Sequence, residues 1–146
     1  MINKDFEQVD SQNKYDLVWC SHVLEHQFNV GLFIKRLFDF CEDDGKVAIT
    51  VPDGRDGFVV AGHVSLWNAG ILMYNIIKAG YNCKHAKAKT YAGNVSVIVP
   101  KEPIVEESDI YIRDDRGYFP DQYNYGRTRY GDICFNGNID ELNWSE

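Results

Sequence analysis

Two short apolar runs, "YDLVWCS" at 15–21 and "KVAITVP" at 46–52, bracket a single amphipathic segment, and that order leaves the chain few folds to choose from. Each run is apolar at successive positions, which is the pattern of a strand covered on both faces within a parallel sheet. The first strand is expected from Tyr15 to about Cys20. Between the runs, Val30, Phe33, Ile34, Leu37, Phe38 and Cys41 recur at helical spacing, with Lys35, Arg36, Asp39 and Glu42 turned away. Asn29 can cap this helix, and "DDG", ending at Gly45, can stop it. Strand, helix, strand predicts a right-handed parallel crossover, hence an α/β fold with a mostly parallel sheet and helices on both faces.

Further on, "DGRDGFVVAGH" at 53–63 reads as a loop with three glycines. Leu72, Met73, Ile76 and Gly80 then suggest a second helix that stops at "AGY". Residues 83–91 and 95–99 flank "AGN" and predict a closing antiparallel hairpin. Pro100 and Pro103 mark a boundary, dividing the chain into a domain at 1–101 and an extension at 102–146.

Charge divides at the same place. Residues 1–101 carry 11 basic and 11 acidic side chains, whereas 102–146 carry 4 and 11, so the net charge of −7 resides in the extension. Without a Lys/Arg cluster, generic nucleic-acid binding is disfavoured. The extension also holds eight aromatics, among them "YFPDQYNYGRTRY", and is expected to dock on a core or an edge. No apolar run reaches the roughly 20 residues that span a bilayer, and the polar start has no signal core, so a cytoplasmic protein is expected. Cys20, Cys41, Cys83 and Cys134 are scattered, with no metal-binding or disulfide spacing.

Taken in register, "YDLVWCSHVLEH", "DDGKVAITVPDG", "GHVSLWN" and "IIKAGY" resemble the latter part of the class I S-adenosylmethionine (SAM)-dependent methyltransferases, from about residue 5 to residue 100. The resemblance implies a partial Rossmann-like fold, SAM as cofactor and an unidentified methyl acceptor. It implies cofactor contacts from Asp5 and Phe6, the segment after the family's third strand, and from Cys20, Ser21 and His22 along the main chain. The family's Gly-rich turn and the acidic residue after its second strand are absent, since no two of the 12 glycines are separated by one residue. A family member without its front third is expected, with a weakened grip on the cofactor.

Ligands of open α/β sheets sit beyond the carboxyl ends of the strands, where Ser21, His22, Glu25, His26, Asp53 and His63 should converge. His26 or His63 is the candidate catalytic base, histidine being a residue type that exchanges protons near neutral pH. A divalent metal held by His22, Glu25, His26 and His63 is the less favoured alternative. The bare edge at Tyr15–Cys20 carries a different reading, a non-catalytic scaffold or one half of a split enzyme. It would form a homodimer or pair with a chain that supplies the missing strands.

Overall fold

A computed structural model describes residues 6–105, 115–121, 125–127, 129 and 133–145. The two apolar runs form β1 (Tyr15–Ser21) and β2 (Cys41–Pro52), joined through α1 (Val30–Asp39). Asn29 caps α1 by accepting the Leu32 N–H at 3.3 Å. Asn68 caps α2 (Ala69–Lys78) in the same way, accepting from Ile71 N–H at 2.8 Å. The expected hairpin is β3 (Lys87–Tyr91) and β4 (Asn94–Pro100). Its two-residue turn has φ of 46° at Ala92 and 75° at Gly93, the paired left-handed conformation that suits the twist of a hairpin. Gly45 does not end α1 but lies inside β2, where an added Cβ would sit 2.8 Å from Cys41 Sγ and 2.9 Å from the Asp16 carbonyl.

The main sheet has the order β1-β2-β4-β3-β7, the last being Glu141–Leu142. Two expectations are corrected here. The sheet is mixed and mostly antiparallel, with β1–β2 the parallel pair, because one crossover is followed by a hairpin and by a short strand from the chain end. The described helices also cover one face instead of two. α1 packs on β1, β2 and α2, while α2 packs on β4 and β3. Val47, Ile49 and Val51 of β2 and Val95, Val97 and Val99 of β4 are buried beneath them, with Leu72, Met73, Ile76 and Phe38 above. The alternate residues form rows that look the other way: Trp19, Ala48, Ile98 and Lys87 in one, Ser21, Thr50, Ser96 and Lys89 in the next. On that face Leu17 is 59% and Trp19 72% exposed, so β1 is not doubly covered among the described residues.

Described parts of 102–146 pack against the domain. Phe119 is buried and stacks on Tyr74 with centroids 5.9 Å apart, Asp115 pairs with Lys78, and β7 extends the sheet beyond β3. The arrangement is consistent with a partial methyltransferase-like fold. A second, two-stranded sheet pairs β5 (Tyr125–Arg127) with β6 (Ile133–Phe135). Among the described residues no helix is long and apolar enough to cross a membrane.

Candidate functional site

At the carboxyl end of β1 the chain turns sharply. His22 adopts a left-handed φ of 54°, while its N–H still donates to the Thr50 carbonyl at 2.9 Å and so extends the ladder by one bond. A non-glycine residue held there carries about 1–3 kcal/mol of backbone strain, tolerated where surrounding contacts fix it. A single 3-10 turn follows, Leu24–His26. Leu24 is fully buried and anchors the turn, and its neighbour Glu25 is drawn in with it, to 1% exposure.

Glu25 is the hub. Its Oε1 lies 3.5 Å from His22 Nδ1 and 3.7 Å from His26 Nε2, while Oε2 is buried with no hydrogen-bond partner among the described residues. Both contacts are longer than the 2.7–3.2 Å of an ordinary N–H···O bond. The other nitrogen of His26, Nδ1, is 2.8 Å from the Gly62 carbonyl, a partner that can only accept. That bond fixes the tautomer: Nδ1 carries hydrogen and Nε2 faces the carboxylate.

The loop bearing Gly62 and His63 is closed at its base and pinned at its tip. Asp53 and Trp67 form a parallel bridge at the base, and an added Cβ on Gly54 would meet Trp67 N at 2.8 Å, so the two arms require glycine there. At the tip, Val64 N–H donates to the Glu25 carbonyl at 2.8 Å, and Gly62 takes a φ of 87°. The His63 ring consequently stands edge-on to that of His26, with centroids 4.9 Å apart.

Beside this cluster, on the outer side of β1, lies a cleft of about 440 Å³ whose lining includes Phe6, Val18, Cys20, Ser21, Val23 and Phe33. Phe6 reaches it by packing on Phe33 and Phe40 of the α1 side, with centroids at 5.1 and 5.3 Å. The Cys20 thiol is pushed up to about 11, first by burial and then by the charge of Glu25, so it stays a neutral thiol near pH 7. A larger cavity of about 550 Å³ lies between the far ends of α1 and α2, lined in part by Arg36, Asp39, Gly80 and Tyr81. It is at the end of the sheet remote from the histidines.

The structure therefore brings His22, Glu25, His26 and His63 together and sets Phe6, Cys20 and Ser21 in the adjoining cleft. Asp53 is turned elsewhere: its carboxylate accepts from Arg55 at 2.8 Å, and Arg55 also holds Asp140 at 2.8 Å. It shares with His63 a smaller cavity of about 220 Å³. Asp5 lies outside the described residues, as does part of the Tyr-rich run. Two functional features escape sequence reasoning. The Gly62 carbonyl gives no side-chain signal, and nothing in "VLEH" distinguishes a buried glutamate from a solvated one.

Residues 1–102 match the methyltransferase domain family, whereas no curated protein matches the chain. The match spans both strands that deliver the histidine cluster and the hairpin that closes the sheet, and by it this chain belongs to the methyltransferase domain family.

Proposed function

We propose that the chain serves SAM-dependent methyl transfer, with the cofactor's adenine end in the cleft along β1 and the acceptor approaching across His26 and His63. The observation that carries this reading is the juxtaposition of an apolar cleft with a histidine pair at one carboxyl strand end. A volume of about 440 Å³ lies within the range of small-molecule sites. Phe6, Val18, Val23 and Phe33 offer flat apolar walls for a purine ring, and Ser21 supplies a polar group at the rim. The residues present thus fit one end of SAM. For the methionine end the sequence contains no Gly-rich amide cradle.

SAM supplies an electrophilic methyl group on a sulfonium. The protein must hold the acceptor in line with it and, for a hydroxyl acceptor, remove a proton. His26 and His63 are the residues proposed for that proton. The Gly62 carbonyl keeps the His26 ring in one orientation, and Glu25, 3.7 Å from the Nε2 that would take the proton, would balance the arriving positive charge. Calorimetric titration of the full chain with SAM and with its demethylated product tests the proposal. Binding on the order of micromolar is expected, weakened about tenfold or more, about 1.4 kcal/mol, by Phe6→Ala. A folded chain that gives no heat at high ligand concentration sinks it.

A second reading has its own observation. β1 is an edge strand whose Leu17 and Trp19 are exposed, and such an edge is a template for another strand. We propose that a second copy, or a chain bringing further strands, pairs there and completes the grip on the cofactor. Sedimentation should show a dimer that Trp19→Lys converts to monomer. A wild-type monomer at high concentration that still binds SAM fully excludes this requirement for a partner.

A further inference from the structure

We infer that Glu25, His26 and His63 form a site for one divalent transition-metal ion of the zinc type, a reading that rests on their geometry and not on methyl transfer. One ligand atom from each of the three lies within 4.8 Å of the others. Among the described residues the ion pairs of Glu25 are with His22 and His26 alone, and one carboxylate oxygen is buried with no hydrogen-bond partner. A carboxylate at 1% exposure with an idle Oε2 is a costly arrangement, and an ion beside His26 would relieve it by drawing on both carboxylate oxygens.

The His26 ring sharpens the point. Its Nδ1–H is committed to the Gly62 carbonyl, so in the neutral ring Nε2 directs a lone pair toward the carboxylate. Two electron-rich atoms facing each other repel unless a proton or a cation lies between them. Their separation, 3.7 Å, is long for a shared proton. It suits two ligands around one tetrahedral ion, whose bonds of about 2.0–2.2 Å put neighbouring ligand atoms roughly 3.4 Å apart. A ring nitrogen donated to a backbone carbonyl is also the usual outer support of a metal-bound histidine.

The set is held in advance of any ligand. The two backbone-anchored contacts, Val64 N–H to Glu25 and His26 to Gly62, lock the loop of His63 onto the turn of Glu25. Two nitrogens and one oxygen favour zinc, cobalt, nickel or iron over magnesium, and the half-exposed His26 ring leaves a coordination position open to solvent. His22 takes a different role from the one its spacing suggested. It lies outside the three-residue group, with Nδ1 3.5 Å from Glu25 Oε1, and stands beside the carboxylate.

The test uses the full chain stripped by a chelator and titrated, without SAM, with Zn²⁺ by calorimetry and with Co²⁺ by visible absorption. One ion per chain is expected, with the d–d bands of a low-coordinate cobalt centre. His63 is partly exposed, so His63→Ala should keep the fold by circular dichroism yet bind about a hundredfold more weakly. His22→Ala should weaken binding about tenfold, and His85→Ala, an exposed histidine outside the cluster, should leave it unchanged. Folded wild-type protein that binds neither ion, or binding that survives both His26→Ala and His63→Ala, overturns the site. Because SAM is absent throughout, failure here leaves the cofactor cleft untouched, and failure of SAM binding leaves the metal site standing; a bound ion takes up the free lone pairs of His26 and His63, so with it in place the two rings are ligands and not the acceptor's base.

Discussion

The two faces of the sheet are built from the same strands and behave as different materials. On the helix side, Val47, Ile49, Val51, Val95, Val97 and Val99 interlock with Ile34, Phe38, Leu72 and Ile76, all at or near zero exposure. On the other side an apolar corner at Leu17 and Trp19 gives way to a polar centre, where Thr50 and Ser96 share a hydrogen bond at 2.8 Å and Tyr91 reaches Ser96 at 3.0 Å. The first face holds the chain together. The second satisfies its polar groups locally and leaves its apolar corner uncovered among the described residues, so Trp19 contributes little to folding.

Substitution should separate the faces, the helix side giving the largest effect. Phe38→Ala removes a fully buried ring stacked on Tyr81 at 3.7 Å, and should cost about 3–5 kcal/mol in urea unfolding. Gly45→Ala, which forces a Cβ against Cys41 Sγ and the Asp16 carbonyl, should cost about 1–3 kcal/mol through overpacking. Asn68→Ala, removing the α2 cap, should cost about 1 kcal/mol. Trp19→Ser should change the stability of the isolated chain by no more than about 0.5 kcal/mol. If it costs as much as Phe38→Ala, the two faces are not different after all.

A pH test probes the border between the core and the site. Cys20 is raised to about 11 from its ordinary 9.0, chiefly by burial. The fold favours the protonated thiol, so its stabilising contribution is full below pH 9 and is lost as pH rises through 11. Alkylation of Cys20 in the native chain should therefore be slow at pH 8 and accelerate only above pH 10. Fast labelling at pH 8 would place the thiol in solvent.

Much of this was legible in the sequence, for identifiable reasons. The 3.6-residue period of Val30, Ile34, Leu37 and Phe38, and the asparagines before both helices, encode local structure and need no knowledge of neighbours. Coverage of a strand is not local. "YDLVWCS" is apolar on both sides whether the second side meets a helix, a partner or water, and so the expected second helix layer did not follow from it. The two-residue β7 and the Arg55–Asp140 contact across 85 positions left no pattern to read. The histidine cluster and Glu25 were visible as spacing, but the burial of Glu25 was not: with Asp115 it is one of two buried acids among the described residues, drawn in beside Leu24.

The central claim is that the carboxyl end of β1, and not the larger cavity at the opposite end of the sheet, is the cofactor site. The most direct test is an amide NMR titration of the labelled full chain with SAM. The account predicts shifts concentrated at Val18 and Cys20–Val23, beside the cleft. Shifts confined to Arg36, Asp39, Gly80 and Tyr81, around the remote cavity, or none at all from a folded chain, would contradict it.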